Sequence, residues 1–154
     1  MDTKNFLDAW TEIGVNSAHA LPPINHPPRN LSERFSEPPG APGAERAKLV
    51  AWVRESIAAV LLRPGLFRAW HVTSNHDREV VAERQRRFET NVEHMARHLE
   101  RLQAAGKAKS TPQFAAYAII ALVGAAAREA AIDKAFSEAK HEGIISVVID
   151  LAGL

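Results

Sequence analysis

The sequence predicts an all-α protein, an antiparallel bundle of about six helices, and three observations carry that prediction. Between Val81 and Leu102 the residues Val81, Gln85, Phe88, Val92, Met95, Leu99 and Leu102 recur at alternating spacings of four and three, the mark of a helical bundle seam with a charged outer face. Helix starts and stops are written along the chain as proline and capping residues: "LPP" at Leu21–Pro23, "RPG" at Arg63–Gly65 and "STPQ" at Ser110–Gln113. The β-branched stretch near the C-terminus, in "HEGIISVVIDLAGL", has no second strand to pair with. Ile144, Ile145, Val148, Leu151 and Ala152 also fit one helical face, so it reads as helix.

The elements follow in order. Asp2 or Thr3 caps a first helix whose stripe is Phe6, Trp10 and Ile13, with Leu7 alongside. Pro22 and Pro23 end it, because proline lacks the backbone donor. Seven of the nine prolines fall between Pro22 and Pro42, and residues 22–44 read as an irregular, partly packed loop. "NLSERF" adds one helical turn there, with Leu31 and Phe35 at i,i+4 behind Ser32. A second helix, from Glu45 to Arg63, puts Leu49, Trp52, Val53, Ser56, Ile57 and Val60 on one face. After "RPG", the segment "LFRAWHV" forms a short helix; a long one then opens at Ser74 or Asn75 and runs to Ala105, with Gly106 as C-cap. The next begins at Ser110 or Thr111, with Pro112 in its first turn, and continues to about Ile132.

A chain of 154 residues at 46% hydrophobic and 24% charged residues suits one domain, residues 1–154, with an interior of useful size. Its net charge of +1 gives no reason for avid binding to nucleic acid or anionic membrane. Cysteine is absent, which excludes disulfides and thiolate metal sites. The start "MDTKNFLDAWTEIG" lacks the pattern of a signal peptide. The most apolar run, Phe114–Ala127, is 14 residues, against the ~20 that span a bilayer, so a soluble cytoplasmic protein is expected.

No phosphate loop, GxSxG elbow, HExxH or cysteine nucleophile is present, and no enzymatic activity or cofactor is expected. His94 and His98 share a helix face at metal-ligand spacing, but both lie off the long seam beside Arg97 and Arg101, and solvated histidines are the expected reading. In "ERQRRF" the arginines interleave with Glu79, Glu83 and Glu89, which reads as an ion-paired helix surface. A small-molecule pocket is the more interesting candidate. Trp10, Trp52, Phe67, Trp70, Phe88, Val92 and Met95 come from several helices, and the polar Ser56, His71 and Tyr117 lie among them. An apolar cavity with a few polar groups is how small-molecule sites are built. The alternative is a filled core, with Ser56 bonding back to the Trp52 carbonyl.

The stripe Tyr117, Ile120, Gly124, Ala127 and Ala131 is mostly small and invites a second helix to approach closely. With the apolar final helix it predicts a homodimer through the last two long helices, Ile120, Gly124 and Ala127 meeting Ile144, Val148 and Leu151 of a second copy.

The stretches "LFRAWHVTSNHDREVVAERQRRFETN" and "HLERLQAAGKAKSTPQFAAYAIIALVGAAAREAAIDKAFS" resemble the ligand-binding, dimerising C-terminal domain of TetR-family transcription regulators. "QAAGK" (Gln103–Lys107), "LVGAAAREA" (Leu122–Ala130) and "DKAFS" (Asp133–Ser137) carry the likeness, which covers about Glu45 to Leu154. The resemblance implies a repressor-type sensor domain that binds a small hydrophobic effector and dimerises. Residues 1–21, with Thr3-Lys4 at their start, would be the connecting helix, and DNA would be met only through a helix-turn-helix that these residues do not include. A ligand-free module that pairs with a full-length relative is the alternative, and a metal-dependent enzyme using the histidines a third.

Overall fold

The computed structural model describes residues 34–35, 39–62, 64–65, 67–69, 72, 77–103, 110–132 and 138–154. Among them no residue is in a strand, and the all-helical class holds. Four long helices carry the fold: α1 (Pro42–Leu62), α2 (Arg78–Gln103), α3 (Pro112–Ile132) and α4 (Glu138–Ala152). The proposed first helix, most of the proline-rich loop and the Gly106 cap lie outside the described residues.

Each start has a chemical cause. Helix α1 begins at Pro42, earlier than the Glu45 expected: Pro42 has no donor to leave unpaired in the first turn, and the Ala41 carbonyl accepts from the amides of Ala44 and Glu45. Helix α2 begins behind Asp77, not Ser74 or Asn75. Asp77 Oδ1 accepts from the amides of Glu79 (2.9 Å) and Val80 (3.3 Å), the second and third helical residues. Thr111 caps α3 ahead of Pro112, its Oγ1 accepting from the Phe114 amide. Helix α4 ends in a Schellman closure: Gly153 sits at φ 76°, its amide bonds the Asp150 carbonyl, and the Leu154 amide bonds the Ile149 carbonyl.

Helix α3 is the central element, packing against α1, α2 and α4, while α1 also meets α4. Its nine buried residues include six alanines, which is why three helices can approach it. It is also, among the described residues, the one helix long and apolar enough to cross a membrane by length and composition; the 14-residue run understated a helix of 21. Leu49, Val53, Ile57, Val92, Met95, Leu99, Ile119, Val123, Ile145 and Val148 form one continuous core. Burying each of these larger side chains is worth ~1.5–3 kcal/mol. Surface pairs Arg54–Glu142 and Glu129–Lys140 tie α4 to α1 and to α3.

The seam of α2 follows the predicted register only in its second half. Val92, Met95 and Leu99 are buried, but Val81 and Gln85 are exposed and Val80 takes the inward position. The charged face behaves as expected, Glu83 accepting from both Arg86 and Arg87 and Gln85 donating to Glu89.

Candidate functional site

Two ionisable side chains are fully enclosed between α1 and α2. Glu45 lies in the first turn of α1 and His98 in the C-terminal third of α2, at 1% and 0% exposure. The folding logic is local. Glu45 reaches back along the start of its helix, where Oε1 accepts from the Gly40 amide (2.7 Å) and from Lys48 Nζ (3.1 Å). His98 follows Met95 by three residues and so turns inward with it.

Phe35 closes the site. Its ring, 2% exposed, lies 4.6 Å from the His98 imidazole at a tilt of 49° and meets Trp52 edge-on at 6.2 Å. Arg34 and Phe35, themselves helical, are clipped to both helices: Arg34 pairs with Glu55 on α1, and Arg101 on α2 donates to the Phe35 carbonyl.

The polar atoms inside are incompletely matched. Glu45 Oε2 and His98 Nε2 are 3.2 Å apart but not aligned for a hydrogen bond, and both, with His98 Nδ1, are buried without a hydrogen-bond partner. Burial drives the His98 imidazole down to about 4 from its ordinary 6.5, despite the pull of Glu45. At neutral pH it is therefore uncharged. Burial alone would raise Glu45, but the Gly40 amide and the Lys48 ammonium outweigh it and hold the carboxyl below its ordinary value. The result is a carboxylate and a neutral imidazole side by side, able to accept and donate hydrogen bonds respectively.

This pair corrects the expectation that His94 and His98 share a solvated face. His94 is half-buried, with Nδ1 3.0 Å from Arg97, while His98 is in the core. No group of three metal-ligating side chains occurs among the described residues.

The residues expected to line a pocket are dispersed. Trp52 packs on Phe35, and Val92 and Met95 lie in the central core. Phe88 meets Tyr117 edge-on at 5.4 Å, but Tyr117 is 55% exposed and closes no interior wall. Phe67 joins a separate cluster with Val60, Ala127 and Ala131. Ser56 donates to the Trp52 carbonyl at 2.7 Å, so its hydroxyl is satisfied along its own helix. Trp10, Trp70 and His71 lie outside the described residues.

The expected interface residues also divide. Ile120, Ala127 and Val148 are buried within the single chain and have no surface to offer a partner. Gly124, Ile144 and Leu151 are half-buried. Among the described residues, a Cβ at Gly124 would meet only the Arg128 guanidinium, at 3.9 Å, so none of the described helices approaches closely there. Beside these residues the outer side of the α3–α4 hairpin holds an open groove of about 310 Å³ lined by Leu122, Glu129, Lys140, Gly143, Ile144 and Val147.

No family model, curated protein or solved structure matches the chain.

Proposed function

We propose that the chain is the effector-sensing and dimerisation domain of a TetR-like transcription regulator, working in the cytoplasm as a homodimer. The observation that carries this reading is the outward face of the α3–α4 hairpin. Leu122, Gly143, Ile144 and Val147 line an apolar groove there, with Glu129 and Lys140 at its side. Two copies related by a two-fold axis would form a four-helix contact, each burying the other's groove. The interface differs from the one the sequence suggested by rotation of both helices: Leu122 and Val147 replace Ile120, Ala127 and Val148, which the core has already taken. A small hydrophobic effector would act by preferring one of two arrangements of the helices, since equal affinity for both shifts nothing. DNA would be contacted only through a helix-turn-helix outside this sequence.

Sedimentation equilibrium tests the reading: a dimer is expected at micromolar concentration, and a stable monomer at ten times that concentration would remove its support. The continuous packing of Val92, Met95, Leu49 and Ile119 favours a second reading, an interaction module with a filled core that pairs with a full-length relative. Small hydrophobic compounds should raise Tm for the sensor and leave it unchanged for the module.

A further inference from the structure

Among the described residues, Phe35 is the one member of the central core that does not come from the four long helices. It lies against the His98 ring, whose Nδ1 and Nε2 are buried without a hydrogen-bond partner, as is Glu45 Oε2 3.2 Å from Nε2, and a phenyl ring can offer none of them a hydrogen bond. Native interiors rarely leave such atoms unmatched, because each has lost its water without a replacement. The segment that carries the ring is held by two contacts of its own, Arg34 to Glu55 and Arg101 to the Phe35 carbonyl. The geometry points to the place filled by Phe35 as a ligand site for a phenol: a planar aromatic ring whose hydroxyl donates to Glu45 Oε2 and accepts from the His98 ring N–H. The ligand ring takes over the tilted contact with His98 and the edge contact with Trp52 that Phe35 makes.

The charges select the protonation state. Glu45 is ionised and a second anion beside it is unfavourable, so the neutral phenol is bound and not the phenolate. Lys48 on Glu45 Oε1 and Arg101 beside the Phe35 carbonyl already supply cations, which disfavours a protonated benzylic amine. The inference rests on the sensing half of the proposed function and names its effector class; it is independent of the dimer.

The test compares phenol with toluene, molecules of nearly equal shape that differ in one hydroxyl, by calorimetric titration. Wild-type protein must move the Phe35 ring before it binds, so Phe35→Ala should bind phenol at least tenfold more tightly than wild type. In Phe35→Ala, phenol should also bind at least tenfold more tightly than toluene, whereas an apolar cavity reverses that order because the hydroxyl is stripped of water. Adding His98→Leu should abolish the preference. Should Phe35→Ala not fold, Phe35→Leu opens a smaller space and must give the same order. Toluene binding as well as phenol, benzylamine binding better than phenol, or no binding by any of them would overturn the assignment. A phenol affinity indifferent to Phe35 would place the ligand elsewhere, leaving the sensor reading intact and this site refuted.

Discussion

At His98 the cost of burial has a measurable signature. The imidazole is neutral in the folded chain down to about pH 4, whereas in the unfolded chain it takes a proton near its ordinary 6.5. Between those values the unfolded state binds more protons, so stability falls as the pH is lowered from 6.5 to 4 and is level again below. At 1.36 kcal/mol per pH unit, that interval amounts to roughly 3 kcal/mol. Glu45 has the same sign with a lower window: its depressed carboxyl contributes stability above its ordinary value, lost as the pH falls through the folded one. Urea titrations of His98→Leu should therefore lose the slope between pH 6.5 and 4 while keeping the part below. At pH 7 the variant should be at least as stable as wild type, because two unmatched nitrogens leave the core. An unchanged slope would mean that His98 is not the titrating group. Little of this was legible in the sequence. His98 sits beside Arg97 and Arg101 and off the four-three seam, and only the packing of α1 and Phe35 across that side of α2 makes it interior.

Among the elements, legibility follows how local the cause is. Thr111 and Pro112 announce the start of α3 within two residues, and the α4 closure at Gly153 depends on backbone alone. Helix α2 was harder, since Ser74, Asn75 and Asp77 are all good caps and the choice is made by how Val80, and not Val81, enters the core. Asp77→Ala should cost ~1 kcal/mol through two lost cap bonds, a fall in Tm of about 2–4 °C by calorimetry. Gly124 tests the reverse case. Sequence suggested a close helix contact there, but the site has room for a methyl group, and Gly124→Ala should stabilise the chain by about 0.5–1 kcal/mol through helix propensity. A loss of stability on chemical denaturation would restore the close-contact reading.

For the whole molecule, the helical class followed from periodicity, whereas which side of each helix faces out did not. Helices α3 and α4 are apolar on most sides, so their sequences contain two possible interfaces each, and the packing of α1 and α2 onto α3 decides between them. Adjacent residues on α4 separate the consequences. Val147 is 47% exposed at the groove and Val148 is 1% exposed in the core. Val147→Glu places a charge where a second copy would cover it, without entering the interior of its own chain. It should leave Tm of the isolated subunit nearly unchanged while converting dimer to monomer in sedimentation. Val148→Glu buries an unpaired carboxylate beside Ile149 and Ala152 and should unfold the chain outright, whatever its oligomeric state. Val148→Ala removes two methyl groups from the same place and should cost on the order of 1–3 kcal/mol, with the dimer retained if the protein stays folded. The decisive comparison is therefore Val147→Glu against Val148→Ala at matched protein concentration. If Val148→Ala dissociates the dimer and Val147→Glu does not, the interface lies on the face first read from sequence, and the α3–α4 groove has another use.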